Sequence, residues 1–129
     1  MVKHTGRKKT ILVIEDDKSQ LFVLEQCLEK AGYQVISAIN GMEGLKLLES
    51  ADYDLVITDI NMPYVSGIGV ISALKGKRPN IPAVAVTGYG VVPLEAAKEK
   101  KADVMLNKPF EMSILIGHIE KLLYANTLI

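Results

Sequence analysis

Short apolar runs alternate with stretches of helical periodicity along the whole chain, and that alternation restricts the fold more than any other feature. The runs are ILVIE (11–15), YQVISAI (33–39), YDLVITD (53–59), IPAVAVTGYG (81–90) and ADVMLNKPF (102–110). Each is short, and most are rich in β-branched residues, so each reads as a strand. After the first run, Leu21, Leu24, Leu28 and Ala31 recur at helical spacing, with Asp17 or Ser19 as candidate cap and Gly32 as the stop. GMEGLKLLES (41–50) is a short helix with Leu45 and Leu48 inward. GIGVISALKG (67–76) sets Ile68, Ile71 and Leu74 on one side. VPLEAAKEKKA (92–102) is a polar helix with Pro93 in its first turn, where the missing N–H costs nothing. EMSILIGHIEKLLYA (111–125) closes the chain as an amphipathic helix. Apolar strands separated by helices imply an α/β fold, with a parallel sheet covered on both faces and right-handed crossovers.

A chain of 129 residues fits one domain, and 49% hydrophobic residues exclude disorder for its body. The first nine residues are basic and aperiodic and read as a flexible tail, leaving one domain over 10–125. Fifteen basic and fifteen acidic residues balance, which argues against a direct nucleic-acid binder. No apolar run is long enough for membrane insertion, and no secretory signal opens the chain. The single cysteine, Cys27, excludes an internal disulfide and reads as a small core hydrophobe, consistent with a cytoplasmic protein. His4 and His118 lack partners at metal-ligand spacing.

The candidate site lies where the strands end. Ligands of open parallel sheets bind at the carboxyl ends of the strands, near the reversal of strand order. The first strand ends in Glu15-Asp16-Asp17, the third at Asp59, the fourth at Thr87 and the fifth at Asn107-Lys108-Pro109. If strands one and three are neighbours, Glu15, Asp16 and Asp59 share one cleft. Carboxylates that close repel, and a divalent cation resolves the conflict. Oxygen donors without a His/Cys cluster suit magnesium and disfavour zinc. Lys108 adds a cation for a phosphoryl oxygen and Thr87 adds a hydroxyl, a set suited to a transferable phosphoryl group. Asp59 is the candidate nucleophile, because a carboxylate can form an acyl phosphate. The turn after it brings backbone groups of Ile60 and Asn61 toward metal and phosphoryl group.

With ILVIEDD, LVITDINMP followed by Gly67, AVAVTG and NKPF in this order, the chain resembles a response-regulator receiver domain of two-component signalling, chemotaxis regulators included, from Thr10 to about Tyr124. The resemblance implies a doubly wound five-stranded parallel sheet of order 2-1-3-4-5, flavodoxin-like, in three α/β/α layers. It implies that Asp59 is the phosphoacceptor. Asp16 and Asp59 match the direct magnesium carboxylates, Glu15 the acid acting through water, and Asn61 the backbone-carbonyl ligand. Ile60, Thr87, Gly88 and Lys108 match the phosphate-binding groups, and Thr87 is also the switch hydroxyl. The Lys108-Pro109 bond is often cis in this family. The implied phosphoryl donor is a histidine kinase or phosphotransfer protein bearing a phosphohistidine. The implied output protein binds the strand-five face.

Two positions depart from the family pattern. Met105 stands where a Tyr or Phe is common, and Ser66 where an acid commonly precedes the loop glycine. Ser66 is expected to affect capping rather than chemistry. Tyr89, two residues past Thr87, is expected to slow loss of the phosphoryl group and, with Thr87 and Met105, to report the switch.

Two other functions compete. A phosphatase using Asp59 as nucleophile, of the haloacid-dehalogenase type, needs a second Asp where Asn61 stands. A phosphorylation-independent binding module predicts loss of an acid, the threonine or the lysine, and none is lost. Gly67 and Gly69 match a dinucleotide fingerprint only in part, because Ser72 falls where the third glycine belongs. The chain is therefore read as a signalling phosphoacceptor, not an enzyme acting on other substrates.

Overall fold

The protein is described from a computed structural model, in which residues 7–88 and 102–124 are described. The expected helix over 92–102, Tyr89, His4 and most of the basic tail lie outside those residues.

Five parallel strands form one sheet: β1 Thr10–Ile14, β2 Gln34–Ala38, β3 Leu55–Asp59, β4 Ala83–Thr87 and β5 Val104–Asn107, in the order β2-β1-β3-β4-β5. Four helices are described: α1 Lys18–Lys30, α2 Gly41–Ser50, α3 Gly67–Lys77 and α4 Met112–Tyr124. The strand order is the one the resemblance implies, and it makes β1 and β3 neighbours.

Side-chain alternation along each strand divides the core into two layers. Ile11, Val13, Leu55, Ile57, Val84 and Val86 pack with Leu21, Leu24 and Leu28 of α1 and with Leu115 and Ile119 of α4. Leu12, Ile14, Val56, Ala83 and Ala85 face the other way, toward Leu48 of α2 and Val70, Ile71 and Leu74 of α3. The central strands β1, β3 and β4 are buried along their whole length, whereas β2 and β5 at the edges are only partly covered.

Local sequence explains the helix ends near the site. The Asp17 carboxylate accepts from the backbone N–H groups of Ser19 and Gln20, at 2.9 and 3.1 Å, and caps α1. Gly32 ends that helix in the left-handed region at φ 100°, with Tyr33 N–H donating to Leu28 and Gly32 N–H to Glu29. Ser66 caps α3 by accepting from Gly69 N–H, the capping role expected of it.

Three details differ from the periodicity reading. Ala31 is the exposed cap of α1 rather than part of its buried stripe. Val70 is fully buried in α3 and joins Ile71 and Leu74, while Ile68 is only partly covered. Cys27 is half-buried. Of the basic N-terminal segment, Arg7 pairs with Asp54 at 3.1 Å and the Lys9 carbonyl accepts from Gln34 N–H at 2.9 Å. Among the described residues, no helix is long and apolar enough to cross a membrane.

Candidate functional site

Strand register assembles the acids. Ile14 of β1 pairs with Thr58 of β3, so the next residues, Glu15 and Asp59, emerge side by side. Carboxylate oxygens of Glu15, Asp16 and Asp59 lie within 4.8 Å of one another. Glu15 and Asp59 are buried and Asp16 is exposed. The Asp59 carboxylate accepts from the backbone N–H of Asn61 at 3.1 Å, and that of Glu15 from the N–H of Asp17 at 3.1 Å. Each buried acid is thus oriented by the turn that follows it.

Lys108 reaches this cluster from the end of β5. Its ammonium donates to Glu15 Oε1 at 2.9 Å and to Asp59 Oδ2 at 3.3 Å, and also to the side-chain carbonyl of Gln20. The Lys108–Pro109 peptide bond is cis. Burial by itself would lower the Lys108 pKa, but the hydrogen bond to Glu15 and the negative charges of Asp59 and Glu15 outweigh it and raise the value. The Asp16 carboxyl is also shifted upward, first by burial and then by its hydrogen bond to Glu15.

The remaining residues are placed as follows. Thr87 is buried at the end of β4, and its hydroxyl accepts from the Asn61 amide at 3.0 Å. Gly88 lies beside the lysine stem: a Cβ there would stand 3.9 Å from Lys108 Cδ. Ile60 is buried, and its N–H donates to the Val86 carbonyl at 2.8 Å. That donor continues the β3–β4 ladder in this arrangement and is not directed to the cleft. Met105 pairs with Ala85 in the sheet and packs, partly buried, against the layer that holds α2 and α3. Tyr89 is outside the described residues.

Two features had no counterpart in the sequence reading. One is Gln20, in the first turn of α1. The other is a cavity of about 540 Å³ whose lining joins Glu15, Asp59 and Lys108 to apolar side chains that include Leu24, Ile57 and Phe110. The Asp17 cap was the available signal for Gln20, since it fixes where the helix begins and hence which first-turn side chains stand near the strand ends.

The donor set fits a hard divalent cation. It consists of carboxylate oxygens, with no His or Cys in the cluster, and the crowding of three acids is what a cation would offset. Mutually close carboxylates, a lysine and a buried hydroxyl at the carboxyl edge of a 2-1-3-4-5 sheet define a receiver-type α/β architecture. The chain belongs to the response regulator receiver domain family, whose model matches residues 11–120, and it is a receiver domain of two-component signalling.

A similar curated protein is the response regulator receiver protein CpdR of Brucella abortus, 35% identical over 118 residues covering 91% of this chain and 98% of that one. Against transcriptional regulatory proteins that it also matches, the chain spans only about half the length, 49% for one from Mycobacterium leprae. Among solved structures, a CheY-like receiver domain protein from Methanospirillum hungatei superposes with a TM-score of 0.86 at 31% identity, covering 90% of this chain and 94% of that one. The response regulator TrrA from Thermotoga maritima, in complex with Mg²⁺-BeF, gives a TM-score of 0.83 at 34% identity, covering 89% and 99%.

Proposed function

We propose that this chain accepts a phosphoryl group from a partner phosphohistidine onto Asp59, in a magnesium-dependent reaction, and thereby changes its affinity for an output protein. The single observation that carries the reading is the contact of one ammonium, Lys108, with both Asp59 and Glu15 inside a cluster of three acids.

In this reading an oxygen of the Asp59 carboxylate attacks phosphorus and the phosphorus–nitrogen bond to the donor imidazole breaks. The electron pair returns to the imidazole nitrogen. Asp59 is suited to the role because it is buried, held by the Asn61 N–H, and placed on a rigid central strand. Lys108 offsets charge on the phosphoryl oxygens, and Thr87 and Gly88 border the same space. Ile60 contributes its backbone N–H only after exchanging its bond to Val86. Asp16, Asp59, the Asn61 carbonyl and, through water, Glu15 would hold magnesium, which when bound would supply positive charge to offset that of the phosphoryl oxygens. The Thermotoga maritima relative crystallised with Mg²⁺-BeF supports that assignment.

The switch follows from where Thr87 is held. Its hydroxyl oxygen now accepts from the Asn61 amide; a phosphoryl oxygen offers an acceptor for the hydroxyl hydrogen, and a move toward that acceptor shifts the population of the β4 end. Met105, two strand positions from the register partner of Thr87, is then positioned to report the change on the β5 face. Tyr89 is assigned the slowing of phosphoryl loss. The receiver is assigned to 10–125, preceded by a basic tail over 1–9, and the protein to the cytoplasm.

The test is incubation with acetyl phosphate and magnesium followed by intact mass. One acid-stable, base-labile phosphate adduct, absent in Asp59→Asn, is expected. Steady release of phosphate from small esters would instead assign a phosphatase, and absence of both adduct and magnesium binding would assign a phosphorylation-independent module.

A further inference from the structure

The Lys108 ammonium has three N–H donors, and the structure offers three side-chain acceptors: Glu15, Asp59 and Gln20. Two of these acceptors are carboxylates of the acid cluster. Gln20 is neutral, lies outside that cluster, and comes from a different element, the first turn of α1. Its amide is itself held: the backbone N–H donates to Asp17 Oδ1 at 3.1 Å and the side-chain NH₂ to Asp17 Oδ2 at 3.3 Å. With its NH₂ on the helix cap, the side-chain carbonyl is left facing Lys108.

We infer that Gln20 is a positioning residue for Lys108, fixing one ammonium donor so that the donor aimed at Asp59 keeps its direction when a phosphoryl oxygen takes the place of the carboxylate oxygen. The inference rests on the phosphoacceptor reading above. Its physical basis is the flexibility of lysine, a compact charge on a four-carbon stem whose direction comes from its partners. Charge on Glu15 and Asp59 is shared with whatever cation the acids bind. The hold of Gln20 is not shared, so it persists through the reaction. A small misplacement of a charge-stabilising group has a large effect on rate.

The experiment compares wild type with Gln20→Met, which keeps the stem and removes the acceptor. With acetyl phosphate and magnesium, the maximal rate of phosphorylation is expected to fall about tenfold, while half-saturating magnesium stays within about twofold. In a Lys108→Ala background the same substitution is expected to change the rate by less than about twofold, because the group it positions is gone. An equal loss in both backgrounds means a merely structural role and overturns the inference.

A second measurement needs neither metal nor donor. Hydrogen exchange at the Lys108 ammonium, followed by NMR, is expected to be slow in wild type and faster in Gln20→Met; equal exchange in the two proteins overturns the inference. A wild type that takes up no phosphoryl group overturns the phosphoacceptor reading and the positioning role with it. A phosphorylated wild type matched by Gln20→Met overturns the positioning role alone.

Discussion

The side-chain amide of Asn61 donates to the hydroxyl oxygen of Thr87 at 3.0 Å, joining the turn after β3 to the end of β4. The backbone N–H of the same asparagine donates to Asp59. One residue therefore touches both the candidate acceptor and the candidate switch, through different atoms.

That division of labour separates in a variant. Asn61→Ala removes the amide and keeps the backbone. Magnesium affinity, by calorimetric titration, is expected to stay within about twofold of wild type. The backbone amide signals of Thr87 and Gly88 are expected to shift in NMR spectra. A loss of magnesium affinity well beyond that range would assign the metal contact to the side chain.

Lys108→Met strips the buried carboxylates of their cation. Side chains of Glu15 and Asp59 are only 3% and 7% exposed, so little solvent compensates. Stability in EDTA is expected to fall by about 3 kcal/mol, the scale for breaking a buried pair. Added magnesium is expected to recover part of the loss. Urea denaturation with and without magnesium reads both effects.

Gly67 is required by close approach rather than by its dihedral angles. A Cβ there would stand 2.2 Å from the Asp59 carbonyl oxygen and 2.8 Å from Ile60 Cα, both backbone atoms. Gly67→Ala must push α3 away from the strand end that carries Asp59. A loss of about 1–3 kcal/mol is expected from urea titration, together with slower phosphorylation.

Buried tyrosines set the alkaline limit. Burial, then the negative charges of Glu120 and Tyr124, raise the Tyr33 pKa; burial raises that of Tyr53 against the pull of Arg78. A raised folded-state value means that this contribution to stability is intact below the unfolded value of about 10 and is lost as pH rises toward the folded values. Tyrosinate absorbance from these residues is expected to appear together with the loss of helical circular dichroism. Ionisation of both with the circular dichroism unchanged would contradict it.

Much of this architecture was legible in the sequence because four of the five apolar runs end in a polar group with chemical meaning. The end of β4 at Thr87 and the start of α3 at Gly67 were readable to the residue. Legibility failed where packing sets the outcome. Val70 belongs to the core because α3 packs against β3 and α2 in one layer, and the apolar residues of GIGVISALKG suit more than one helical phase. The commitment of the Ile60 N–H to Val86 depends on the register between β3 and β4, which no local pattern records. Gln20 meets Lys108 only because two elements far apart in the chain converge on one corner.

Glu15 and Lys108 are 93 residues apart in sequence. The acids come together by pairing of β1 with β3, within the first half of the chain, whereas the ammonium that offsets them arrives from β5. The counter-charge thus depends on one long-range contact, and a loosening of β5 alone would leave the buried acids without their cation.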